Sequence, residues 1–160
     1  MLPSVKWDMR FLSLASLVAS WSKNPRTKVG AVIVDKQHRV ISLGYNGYPF
    51  NIEDTIVSAD REEKLLKVIH AEENALLFRD SSVIGCKIYI THPPCPNCTS
   101  KILQVGISEI ITIEASKEHL DKWGDKHKIT LSMINEANIK YTEYTREELK
   151  DTNISLPLVI

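Results

Sequence analysis

Two short segments of the chain carry the residue types of metal-assisted hydrolysis. Val68-Ile69-His70-Ala71-Glu72-Glu73-Asn74-Ala75 contains His-x-Glu, and Thr91-His92-Pro93-Pro94-Cys95-Pro96-Asn97-Cys98 contains Pro-Cys-x-x-Cys. The imidazole of His70 and the thiolates of Cys95 and Cys98 make a three-ligand set for zinc. A structural zinc is closed by a fourth protein ligand, whereas three ligands leave one tetrahedral position for a water whose pKa the ion lowers towards ~7. Two thiolates also cancel the charge of the ion, which reduces the cost of holding it in a partly buried pocket. Glu72 is read as a general acid and base rather than a ligand. Its expected role is to take a proton from that water and to hand protons to a substrate ring nitrogen and a leaving amine.

This chemistry sets a condition on the elements that hold it. Residues two apart in a helix interior point to opposite sides, so His70 and Glu72 share a pocket only at the very start of a helix. The chain before His70 must therefore be non-helical. Helices beginning at His70 and just before Cys95 would turn their unpaired N–H groups and positive dipole ends towards the metal, which favours thiolates.

Hydrophobic period supplies the remaining elements. Trp7, Phe11, Leu14, Val18 and Trp21 mark a core-facing stripe on a helix from about Val5 to Trp21, closed by Asn24-Pro25. Runs at 29–34 and 40–45, joined by Asp35 to Arg39, predict an antiparallel hairpin. Further strands are expected at 87–91, 109–113 and 139–144, with helices over His70 to Phe78, Pro94 to Val105 and Ile129 to Ala137. A short helical piece is expected between Arg61 and His70. Strands alternating with helices imply an α/β sheet covered on both faces.

Composition bounds the function. The 160 residues and 18.1 kDa predict one domain over 1–160, with 146–160 as a C-terminal tail whose apolar end docks on its own core or on a neighbouring subunit. Twenty Lys and Arg offset twenty Asp and Glu, so no net field exists to hold a polynucleotide or an anionic membrane. With a mean hydropathy of -0.14, no apolar run approaches the ~20 residues of a spanning helix. The N-terminal residues lack the order of a secretory signal, and three cysteines do not form a disulfide framework, which points to a reducing, cytoplasmic setting. Cys86 is read as a small buried hydrophobe, and His38, His119 and His127 as surface residues. His92, three residues before Cys95, is read as a polar strand end, with a place in the pocket against the substrate ring as the alternative.

Together, His70-Ala71-Glu72 and Pro94-Cys95-Pro96-Asn97-Cys98 resemble the zinc-dependent cytidine and deoxycytidylate deaminase superfamily. Trp7-Asp8 to Phe11, Ser22-Lys23-Asn24-Pro25, Gly44-Tyr45-Asn46-Gly47-Tyr48-Pro49 and the insertion with Glu53-Asp54-Thr55 are similar to its deoxycytidylate (dCMP) branch, over about residues 5 to 144. The resemblance implies a three-layer αβα sandwich on a mixed five-stranded sheet and hydrolysis of dCMP to dUMP and ammonia. It also implies one Zn2+ per chain and a homo-oligomer, often a hexamer, regulated by dCTP and dTTP with Mg2+. By the same resemblance Asn46 holds the sugar, although an asparagine between two glycine turns is also a turn former. For the 5′-phosphate, Ser22, Lys23, Arg26 and Lys28 gather three cations and a hydroxyl in seven residues; a solvated loop of mixed charge is the alternative. Asn51 stands where the family usually has a glycine, and asparagine tolerates left-handed φ well enough to keep the turn. A nucleoside, a free base or a 5-substituted dCMP would use the same chemistry. A zinc-stabilised binding module is the reading from another class, and such a module has no need of Glu72.

Overall fold

The chain was analysed as a computed structural model that describes residues 3–53 and 61–150; the Asp54-Thr55 pair and the apolar end at Leu156 to Ile160 lie outside them. Helix α1 (Pro3–Ala19) leads into strands β1 (Gly30–Val34) and β2 (Val40–Tyr45). Helices α2 (Arg61–Lys67) and α3 (Ala71–Leu77) follow, then β3 (Lys87–Ile90), α4 (Pro96–Gln104) and β4 (Glu109–Ile113). Helix α5 (Lys117–Glu136), β5 (Lys140–Tyr144) and α6 (Arg146–Lys150) complete the order.

The five strands form one mixed sheet in the order β2-β1-β3-β4-β5. β1 is antiparallel to both β2 and β3, while β3, β4 and β5 run parallel. Side chains alternate along each strand and so divide the core in two. Ala31, Ile33, Ile88, Ile90 and Ile110 face the layer that includes α3, α4 and α5, through Ala71, Ala75, Ile102 and Ile134. Val32, Val34, Tyr89, Ile111 and Ile113 face the layer of α1 and α6, through Phe11, Leu12, Ala15 and Leu149. The result is a three-layer αβα sandwich, as the sequence resemblance implied. Cys86 is buried in the first of these cores.

Two elements differ from expectation. On α1, Leu12, Ala15, Val18 and Ala19 are fully buried, whereas Trp21 is exposed and Trp7 and Leu14 are only partly covered. The small residues sit there because the helix lies directly on β1: a Cβ on Gly30 would come within 2.0 Å of the Ala15 carbonyl oxygen. Trp7 therefore lies at the flank of the stripe, whereas Phe11 is buried. Asp8 bolts the same helix to the sheet, its carboxylate accepting from the Tyr89 hydroxyl at 2.8 Å and the Tyr144 hydroxyl at 2.7 Å.

α5 begins twelve residues before the expected Ile129. Its first half, Lys117 to Lys128, is charged and largely solvent-facing, so it carries little apolar period. Ser116 starts it as an N-cap whose hydroxyl accepts from the His119 N–H, and Glu118 pairs with Lys122 one turn on.

Candidate active site

α3 is fixed against the sheet before any ligand chemistry is considered. A Cβ on Gly44 would stand 2.4 Å from the Ala75 nitrogen and 2.5 Å from the Ala71 oxygen, so the absence of a side chain lets α3 rest on β2. The Ser42 hydroxyl donates to the Ala75 carbonyl at 2.7 Å, and the Asn74 amide donates to the Tyr45 carbonyl at 2.7 Å. Just ahead of the helix, Gly47 and Ile69 exchange two backbone hydrogen bonds of 3.1 and 2.9 Å as an isolated bridge.

That bridge delivers His70 in an extended conformation, φ -72° and ψ 159°, as the N-cap of α3. The condition on the residues before His70 is met. Its ring makes no capping bond, and Nδ1 instead lies 3.6 Å from the Cys95 sulfur and 3.4 Å from the Cys98 sulfur. Cys95 is the N-cap of α4, also extended at φ -74° and ψ 164°, with Pro96 at the first helical position. The Cys98 N–H donates to the Cys95 sulfur at 3.4 Å. Thr130 on α5 donates to the Pro94 carbonyl at 3.0 Å and steadies the approach to the helix.

The three donor atoms all lie within 4.8 Å of one another. Ligand bonds of about 2.0 Å to nitrogen and 2.3 Å to sulfur around a tetrahedral zinc put neighbouring donors about 3.5–3.8 Å apart. The observed N–S separations fit that spacing, and a nitrogen–sulfur donor set suits zinc. The bond from the Cys98 thiol and the His70 ring hold Cys95 well below the usual thiol range, and the same bond, with burial, raises Cys98.

Glu72 lies one residue into α3, 3% exposed. Burial pushes its carboxyl up to about 7, with the His70 charge opposing the rise. A carboxyl in that range can both hold and release a proton near neutrality.

The residues expected to meet a nucleotide are placed differently from one another. Asn46 is buried, and its carboxamide is partly engaged: Oδ1 accepts from the Val29 N–H at 2.8 Å and Nδ2 donates to the Thr27 carbonyl at 2.9 Å. One N–H and one lone pair of the amide remain. The buried Ser22 hydroxyl donates to the Asn46 carbonyl at 2.7 Å, and the Lys28 ammonium donates to the Ser22 carbonyl at 2.7 Å. Ser22 and Lys28 thus hold the loop between α1 and β1 against the end of β2. Lys23 and Arg26 are exposed on the same loop.

His38, His119 and His127 are more covered than expected, while His92 does lie just past the end of β3. His92 is buried at 8% exposure, ring to ring with His119 at 4.2 Å, and burial together with His119 pushes it down to about 4, a neutral imidazole. His119 and His127 are half-buried, and His38 stacks on Trp7 at 4.4 Å. Polar neighbours in the chain suggested the surface; tertiary packing decided otherwise. Asn51 takes φ 64°, in the left-handed region that asparagine tolerates. Sequence reasoning also missed an ion pair between Glu73 and Lys101, which are 28 residues apart and carry no one-dimensional signal.

Comparison with known proteins gives the family. The profile described as "Cytidine and deoxycytidylate deaminase zinc-binding region" matches residues 5–114. The chain belongs to this deaminase family. It is 46% identical to an uncharacterized deaminase in the luxG 3′ region of Aliivibrio fischeri, over 91% of this chain and 98% of that protein. It is 35% identical to a probable deoxycytidylate deaminase of Drosophila melanogaster, over 95% and 84%, and 32% identical to the human deoxycytidylate deaminase, over 88% and 80%. The fold matches a cyanophage S-TIM5 dCMP deaminase solved with dCMP and dUMP, at TM-score 0.68 and 24% identity over 90% of this chain and 99% of that one. In this deaminase the His-Cys-Cys group fits Zn2+. Among the described residues no helix is long and apolar enough to cross a membrane.

Proposed function

We propose that this deaminase converts dCMP and water to dUMP and ammonia. The observation that carries the reading is the buried carboxyl of Glu72, set on the first turn of the helix whose N-cap is His70, beside a donor set of three. A zinc held by His70, Cys95 and Cys98 would supply activation of a water to hydroxide near neutral pH. Glu72 takes one proton from the attacking water and gives it to the ring nitrogen next to the carbon under attack, then takes the second from the new C4 hydroxyl and gives it to the departing amine. The C4–N bond breaks and a C4–O bond replaces it. His70 and Cys95 hold their ends of the site through the helix starts, and burial keeps bulk water away from the Glu72 proton.

The choice of substrate rests on the relatives named deoxycytidylate deaminase and on the loop that Asn46 anchors. Asn46 presents its remaining amide group to the sugar. Ser22 and Lys28 shape the loop, and Lys23 and Arg26 take the 5′-phosphate. Regulation by dCTP and dTTP with Mg2+ is the part of the proposal that rests on the family resemblance alone; Asn51 takes a left-handed φ in the loop concerned.

The test is ammonia release from dCMP, CMP, deoxycytidine, cytosine and 5-methyl-dCMP, with dCTP and Mg2+ or dTTP added in parallel. dCMP is expected to be the best substrate, and Arg26→Ala to reduce kcat/KM for dCMP about tenfold or more while leaving deoxycytidine nearly unchanged. Zinc-replete protein inactive on every nucleotide would overturn the reading.

A homo-oligomer belongs to the same proposal. No residue of α2 is buried, Leu66 being 88% exposed, and Phe50, 82% exposed, makes an edge contact with the exposed Phe78. Apolar residues of this size are covered in stable assemblies. Light scattering is expected to give a multiple of 18.1 kDa, a hexamer by family likeness, and Leu66→Glu to lower it. A wild-type monomer at micromolar concentration would exclude this.

A further inference from the structure

The two helices that start at the metal donors are held at their starts in different ways. α4 keeps its local lock, because the Cys95 sulfur both serves as a donor and accepts the capping bond from the Cys98 N–H. α3 has none, because the His70 ring turns away from the helix towards the two sulfurs. Glu73 stands three residues after the N-cap, where a glutamate ordinarily reaches back to the N-cap N–H in a capping box. Here it reaches across instead, accepting from the Lys101 ammonium on α4. Lys101 is one turn beyond Cys98, and Glu73 is next to Glu72. The pair therefore spans the two helices immediately behind the donors.

We infer that the Glu73–Lys101 pair is a positioning clamp, setting the separation of α3 from α4 so that His70 meets Cys95 and Cys98 at metal-binding distance with Glu72 facing the same point. The inference rests on the zinc reading of the site. Neither residue touches substrate or metal; both act through the helices they join. An ion pair this exposed, 39% and 27%, contributes little to global stability. Its effect is local, on the metal, where outer partners of zinc ligands typically change affinity by about 10–100-fold.

The experiment is a double-mutant cycle on the full chain with Glu73→Gln, Lys101→Met and the double variant, plus Lys101→Arg as a conservative rescue. Zinc affinity is read by competition with a chromogenic chelator, alongside kcat, KM and the melting temperature of the metal-free protein. Each single variant is expected to lose about tenfold or more in zinc affinity and to lower kcat with KM within about twofold. The double variant should be no worse than the worse single one, Lys101→Arg should recover most of the loss, and the metal-free melting temperature should stay unchanged. Additive losses would overturn the clamp. So would a gain in affinity with Glu73→Gln, the result expected if Lys101 acted only as a bare charge near the thiolates. Unchanged zinc affinity in both single variants would overturn it too, and a wild-type chain that takes up no zinc would instead fail the reading of the site.

Discussion

Replacing Glu72 by glutamine is expected to reduce turnover by about 10²–10⁴-fold while zinc remains at one per chain. The side chain keeps its shape and burial but loses the ability to carry a proton between water, ring nitrogen and amine. Because an amide is neutral, it sits in a pocket that already disfavours the ionised carboxylate, so the fold has no reason to give way. Melting temperature and metal content should match wild type. Both controls matter, since the loss must be one of proton transfer and not of metal. A Glu72→Gln protein retaining more than about a tenth of wild-type activity would remove the general acid and base from the mechanism. A zinc-stabilised scaffold, in contrast, would be indifferent to the change.

Gly44→Ala is expected to damage both the fold and the chemistry, although only a hydrogen is exchanged for a methyl group. The new carbon would meet backbone atoms of α3 at 2.4 and 2.5 Å, and backbone cannot rotate aside as a side-chain tip can. Overpacking of this kind costs about 1–3 kcal/mol, which in a chain of this size lowers the melting temperature by roughly 3–10 °C. The larger effect is on chemistry. α3 must move away from β2, and it carries His70 and Glu72 with it; displacement of catalytic groups by about 1 Å can cost 10²-fold in rate. Gly124→Ala is the control, because nothing lies within 4 Å of its Cβ in mid-helix α5. That change should stabilise by up to about 1 kcal/mol. Wild-type kcat in Gly44→Ala would mean that α3 is not seated by this contact.

The parts of the fold legible from sequence are those in which one face is buried. Strands β1 to β4 show as apolar, largely β-branched runs, β5 as tyrosines alternating with polar residues, and α4 as a segment between Pro94 and Gly106. The first half of α5 was invisible because its stability comes from a Ser116 cap and surface ion pairs, which leave no apolar stripe. In the site, His70, Cys95 and Cys98 could be read as a set because metal ligation depends on residue type and on short spacings. Ser22, Lys28 and Asn46 illustrate the opposite case. Their types suit a nucleotide, yet their polar atoms are engaged with the backbone of the loop between α1 and β1 and with one another, and only coordinates distinguish an available group from an engaged one. Glu73 and Lys101 look like ordinary surface charges until the helices are placed side by side.

The bridge between Gly47 and Ile69 separates the architecture of the site from the length of chain that precedes it. Two reciprocal hydrogen bonds close the excursion between residues 48 and 68 into a loop with pinned ends, one adjoining Asn46 and the other adjoining His70. Since the entropy of closing a loop grows only with the logarithm of its length, doubling such a segment adds about 0.6 kcal/mol. Residues can therefore be added to the excursion at small thermodynamic expense while Asn46 and His70 keep their mutual position, so chain length here and chemistry at the donors are separable.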